Sequence, residues 1–150
     1  MKSLLTVIVV FAVVITIYFA YLSLTDKAPD TALIEGKLRP CPDTPNCVSS
    51  ETTGEKFIEP LKPSDSAELD ALWDKSITAL SNMGGKVEKQ EDGFVWATFQ
   101  SKLFKFTDDV EMRKDAETGV IQIRSSSRSG KSDLGVNRKR VEALRAAIGS

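Results

Sequence analysis

Histidine is absent from the 150-residue chain and cysteine occurs only twice. The first absence removes the commonest general base, and two thiols cannot build a four-thiolate zinc site. Nine glycines and six prolines are too few for a fibrous or low-complexity chain, and no internal repeat is present. Long blocks of like charge are missing too. Residues 1–100 carry 9 basic and 14 acidic side chains, residues 101–150 carry 11 and 7, and the whole sums to −1. A nucleic-acid binder needs an undiluted basic face with stacking aromatics, so nucleic acid is not an expected partner. No motif calls for a cofactor or a metal, and no residue stands out as catalytic.

What is present begins with Leu4 to Leu24, 21 residues without a charge. As a helix this run spans about 31 Å, the thickness of a bilayer core, with Tyr18 and Tyr21 near the end where amphipathic rings prefer the interface. It exceeds the apolar stretch of a cleaved signal peptide and lacks a convincing small-residue cleavage site. Residues 1–25 therefore read as an uncleaved, single-pass transmembrane anchor, which makes the membrane a partner through Leu4–Leu24. Cys41 and Cys47 bracket the proline-restricted segment C-P-D-T-P-N-C. Thiols so close in a tight loop suit a local disulfide, which persists only outside the cytoplasm. The expected location is the cell envelope, with the C-terminal domain on the periplasmic or exterior face of a bacterial inner membrane.

Beyond the anchor, residues 26–62 contain five of the six prolines and no sustained periodicity. They read as an extended stalk that includes the Cys41/Cys47 loop. Residues 63–150 read as a globular domain. Pro63-Ser64-Asp65 opens a helix, with Ser64 or Asp65 as N-cap and Glu68 completing a capping box. Leu69, Leu72, Trp73, Ile77 and Leu80 form its apolar face, and Gly84-Gly85 ends it. Four strands follow: Lys86–Gln90, Phe94–Phe99, Phe104–Lys114 and Val120–Ser127, with turns at Glu91-Asp92-Gly93 and Asp115–Gly119. Alternation puts Phe104, Phe106, Asp108, Val110 and Met112 on one face of the third strand. Lys105, Thr107, Asp109, Glu111 and Arg113 take the other. A helix over Asn137–Ile148 closes the chain with Val141, Leu144 and Ile148 inward. The order α-β-β-β-β-α gives an α+β fold, an antiparallel sheet with helices packed on one face.

Candidate chemistry concentrates in Arg124–Arg140, R-S-S-S-R-S-G-K-S-D-L-G-V-N-R-K-R. Asn137 shares helical spacing with the core positions, and a buried amide needs partners because leaving it unsatisfied costs about 1–3 kcal/mol. Inward-pointing Asp108 needs a cation, and Arg124, Arg128 and Arg138 are available for bidentate pairing. Two readings stay open. The network fixes the last helix to the sheet, or spare donors from Arg124, Arg128, Ser125 and Ser127 hold an anion. Ser129-Gly130-Lys131-Ser132 imitates the end of a P-loop but lacks the first glycine and a parallel α/β setting. A Ser–Lys hydrolase using Lys131 with Ser125 or Ser127 is chemically conceivable without histidine. A hard cation on Asp108, Asp109, Glu111 and Asp133 would compete with neighbouring arginines.

Three motifs resemble one family. C-P-D-T-P-N-C-V-S-S at 41–50, F-K-F-T-D-D-V-E at 104–111 and I-R-S-S-S-R-S-G-K-S-D-L-G-V-N-R-K-R-V-E at 123–142 are similar to those of the family catalogued as domain of unknown function 1499. The resemblance covers roughly Leu38 to Ile148. It implies a bacterial or photosynthetic-lineage protein with a membrane or export segment, and brings no activity or substrate with it. The matched positions include Cys41, Asn46, Cys47, Glu111, Gly130, Asp133, Gly135 and Asn137.

The reading is a non-enzymatic envelope module for an anionic small molecule, a lipid headgroup or a protein partner. Arg124, Arg128 and Arg138 with Ser125 and Ser127 would form the cradle, Asp108 and Asp109 would orient them, and Glu111, Asp133 and Asn137 would be structural. Lys139, Arg140 and Arg145 would favour an anionic membrane surface. The alternatives are the Ser–Lys hydrolase and a purely structural assembly partner.

Overall fold

The computed structural model describes residues 2–30, 33–102 and 105–150. Phe104, expected at the start of the third strand, lies outside them. Helix α1 (Lys2–Leu24) carries a segment, Ser3–Leu24, long and apolar enough to cross a membrane. A helix suits that environment because its backbone groups are satisfied within the segment.

The rest is mixed α+β. Strands β1 (Cys47–Ser49), β2 (Lys86–Glu91), β3 (Phe94–Gln100), β4 (Thr107–Asp115) and β5 (Val120–Ser127) form one sheet in the order β1-β5-β4-β3-β2. Every pairing is antiparallel. Strand β1 is an addition to the four expected. It is too short for alternation to reveal, and its place comes from pairing with the serine-rich end of β5, Cys47 opposite Ser126 and Ser49 opposite Arg124. The segment before α2 also joins the sheet through Leu61, which exchanges both backbone hydrogen bonds with Ile121.

Helices α2 (Leu69–Asn82) and α3 (Val136–Ile148) bury their apolar stripes against one face of the sheet. Leu72, Trp73 and Leu80 of α2 and Val141, Leu144 and Ile148 of α3 meet Val95, Ala97, Val110, Met112, Ile121 and Ile123 in a single core. Leu69 and Ile77 pack at its margin. The start of α2 departs from the expected capping box. A 3-10 turn, Ser66–Glu68, precedes the helix, and the Asp65 carboxylate accepts from the Ala67 N–H at 3.1 Å, so Asp65 serves that turn. At the other end Gly84 takes φ +90°, and Gly85 stands where a Cβ would lie 2.8 Å from the Leu80 carbonyl oxygen and 2.7 Å from the Phe99 ring. One glycine is needed for its conformation and the other for its lack of a side chain.

The opposite face of the sheet is also covered. Alternation assigns it Thr107, Asp109, Glu111, Arg124 and Ser126, yet all five are buried. Residues 26–30 and 33–42 cross it: Asp26 accepts from the Thr107 N–H at 3.3 Å, and Arg39 Nε donates to Glu111 at 2.9 Å. The Cys41–Cys47 disulfide ties the crossing segment to β1.

Candidate functional site

Strand register decides which predicted residues meet. Asp108 faces Ser127 and Glu111 faces Arg124 across the β4–β5 pair, and successive side chains go to opposite faces. The sheet therefore divides the expected cradle in two. Asp108, Ser125 and Ser127 lie on the helix side; Asp109, Glu111, Arg124 and Arg128 lie beneath the crossing segment.

On the helix side Asn137 is fully buried and fully engaged. Its Oδ1 accepts from Ser125 Oγ at 2.6 Å and from Arg140 Nη1 at 2.6 Å, and its Nδ2 donates to the Asn46 carbonyl and to Ser127 Oγ, both at 3.0 Å. Arg140 also reaches Asp108 Oδ2 at 2.5 Å, with its guanidinium 4.8 Å from the centre of the Phe99 ring. Asp133 accepts from the N–H groups of Gly135 at 3.0 Å and Asn137 at 2.8 Å, capping α3 with a negative charge at its positive end.

Two expectations are corrected here. Arg138 does not join the network; it donates to the carbonyls of Glu55 and Phe57 at 2.6 and 3.0 Å. Positions 138 and 140 differ by about 200° around a helix, and only the latter faces Asp108. Conversely, Arg140 and Arg145 are not spare surface charges. Arg145 donates to the Pro60 and Glu59 carbonyls at 3.1 and 2.6 Å.

Beneath the crossing segment the side chains form a charged layer. Asp109 accepts from Arg128 Nε at 3.0 Å and Nη2 at 2.8 Å and from the Trp96 indole N–H at 2.8 Å. Glu111 takes two arginines, Arg39 on one oxygen and Arg124 Nη1 on the other at 3.5 Å. Hydrogen bonding to Asp109 raises the affinity of Arg128 for its proton. Burial lowers that of Arg124, and the charge of nearby Arg39 pushes the same way, although Glu111 opposes both. Arg124 Nε is buried without an acceptor, an unmet demand of the kind that usually calls for explanation.

Between this layer and the crossing segment lies a groove of about 370 Å³, lined by Lys27, Pro29, Arg39, Pro40 and Cys41 of the segment and by Asp109, Arg124 and Arg128. Arg128 is matched by Asp109, but Arg39 and Arg124 share one glutamate and Lys27 adds a further charge. Such a surplus can hold an anion, and guanidinium forks suit the oxygens of phosphate or carboxylate. Lys27 and Arg39 escaped sequence reasoning because they sit in a segment without periodicity. Arg39, just ahead of the Pro-Cys-Pro run, carried only the weak signal of lying beside a loop that had to be anchored.

The serines invoked for a Ser–Lys pair are both engaged by Asn137. Ser125 commits its proton to Asn137, Ser127 accepts from the same amide, and Lys131 is exposed. Among the described residues, no group of three or more Asp, Glu, Cys or His side chains is placed to hold a metal.

No curated protein matches the chain. A family model described as "Protein of unknown function (DUF1499)" matches residues 37–148. The match begins just ahead of Arg39 and runs to the last residue of α3, taking in both networks and leaving Lys27 and α1 outside. With well over half of its length matched, the chain belongs to the DUF1499 family.

Proposed function

We propose that this protein is a membrane-anchored binding module, exposed outside the cytoplasm, whose groove between the sheet and residues 27–29 and 39–42 holds a phosphate-bearing small molecule or lipid headgroup. The observation that carries the reading is the excess of positive charge in that groove: Lys27, Arg39, Arg124 and Arg128 line it with Asp109, and Glu111 is shared by two of them. The Cys41–Cys47 disulfide supports an oxidising compartment, and α1 supports tethering. Arg128 keeps Asp109 from competing with the ligand, and buried Glu111 holds Arg39 and Arg124 in place. Lys27, exposed at the rim, adds charge without a structural duty.

The test is thermal unfolding of the full chain in dodecyl maltoside, a phosphate-free detergent, with inorganic phosphate, glycerol 3-phosphate or short-chain phosphatidylglycerol added. A ligand at a hundredfold excess over its dissociation constant stabilises by about 2.7 kcal/mol. Lys27→Gln should leave the ligand-free midpoint unchanged and weaken binding about tenfold, the loss of one charge-assisted contact. Stabilisation by soluble phosphates points to a free metabolite, and by the lipid alone to a headgroup. If none of the three raises the midpoint, the groove does not bind phosphate and the arginines are scaffold, which moves the weight to a protein partner.

A further inference from the structure

The anchor does not end in a free linker. Asp26, two residues beyond α1, accepts hydrogen bonds from the Thr107 N–H and the Ser129 hydroxyl. Before the end of the helix, Phe19 packs edge-on against Phe106, ring centres 5.9 Å apart at 82°. Phe19 and Leu22 also share an open crevice of about 250 Å³ with Phe106 and Val136. Phe19 is five positions before Leu24, which places it about 7.5 Å deeper along the helix axis. If α1 occupies the bilayer, whatever touches Phe19 is at or below the headgroup boundary.

We propose that the end of the domain built from residues 101–102, 105–106 and 129–136 rests in the headgroup layer of the membrane, with Leu134 and Val136 inserted and Lys102, Lys105 and Lys131 facing lipid phosphates. The inference rests on the reading of α1 as a retained anchor. Leu134 is 86% exposed and Val136 45%; the three lysines are exposed, Lys131 three positions before Leu134, and Lys102 and Lys105 next in sequence to Ser101 and Phe106, which share the crevice with Val136. In water these apolar side chains gain nothing from exposure. At an interface their burial is favourable, and the lysines are drawn to an anionic leaflet. Asp133, the carboxylate beside Leu134, is already occupied by the backbone of α3. The partner is thus an anionic bilayer surface, met in an orientation that the contacts with Phe19 impose.

The experiment uses the full chain in vesicles of phosphatidylcholine and phosphatidylglycerol, labelled with an environment-sensitive nitrobenzoxadiazole at Leu134→Cys or, separately, Thr118→Cys. The native cysteines are paired and do not react. Thr118 lies in the turn at the far end of the nine-residue strand β4, a strand about 27 Å long at its usual rise. Spin-labelled lipid should quench the label at 134 several-fold more than at 118, with a blue-shifted emission at 134 only. Equal quenching and water-like emission at both sites, in chains that resist alkaline extraction, would overturn the seating while leaving the anchor intact. Release by alkaline extraction would overturn the anchor, and the seating with it.

Discussion

At the residue scale, polar side chains in this domain matter by what they satisfy. Asn137 is the clearest instance, since its one amide serves Ser125, Ser127, Arg140 and the Asn46 carbonyl. Replacing it by alanine leaves buried donors and an acceptor unmatched, each costing about 1–3 kcal/mol. Partial relaxation brings the expected loss for Asn137→Ala to about 3 kcal/mol by the same measure, read as a lower midpoint in urea unfolding with an unchanged slope. That Asn137 needed partners was legible from its helical spacing with Val141, Leu144 and Ile148. Which partners it has was not, because Asn46 is 91 positions away. That Asp108 pairs with Arg140, and not with Arg124, Arg128 or Arg138 as expected, was likewise undecidable from charge alone; strand register and the rotation of α3 settled it.

At the element scale, local chemistry was a good guide wherever periodicity was sustained. Both helices of the domain and strands β2 to β5 fall close to the positions that alternation and helical spacing indicate. The Gly84-Gly85 stop is also legible, but the two glycines serve different ends. Gly84 has φ +90° and open space around it, whereas Gly85 is pressed between the Leu80 carbonyl and the Phe99 ring. Gly85→Ala forces a backbone contact apart and should cost about 1–3 kcal/mol, in the range of overpacked sites. Thermal unfolding of the variant checks this, and Phe99→Leu in the same background should recover only the part of the loss due to the ring. Strand β1 was missed because three residues are too few to show a period. It is held in place by β5, by the disulfide and by α3 rather than by its own propensity.

At the scale of the whole molecule, the sheet is a partition between two buried polar networks, and residues 26–30 and 33–42 form a second cover where an extended stalk was expected. Arg39 pins that cover to Glu111, whose side chain is 1% exposed. Arg39→Ala would leave the carboxylate buried with only Arg124 at 3.5 Å. Removing one member of a buried pair costs about 3–5 kcal/mol. The partial exposure of Arg39 should bring the loss towards about 3 kcal/mol. Adding Glu111→Gln should not restore it, since that change leaves Arg124, itself 4% exposed, without its counter-charge. A double-mutant cycle in urea measures the coupling, and additive losses would show that the cover is held elsewhere.

The sequence by itself determined the apolar helix, the α+β order of the domain, the core stripes of α2 and α3 and the need for a polar network near its C-terminal end. These follow from near neighbours: charge-free length, spacings of two or three to four residues, and turn chemistry. Only the tertiary structure decided which charges meet. The Arg39–Glu111 contact spans 72 positions, and the register of β5 against β4 sends Asp108 and Asp109 to opposite sides of the sheet. Hydrogen bonds and ion pairs have a reach of a few ångströms and no memory of sequence separation. The groove therefore exists only once the chain before β1 has crossed the face that alternation alone would have left to water.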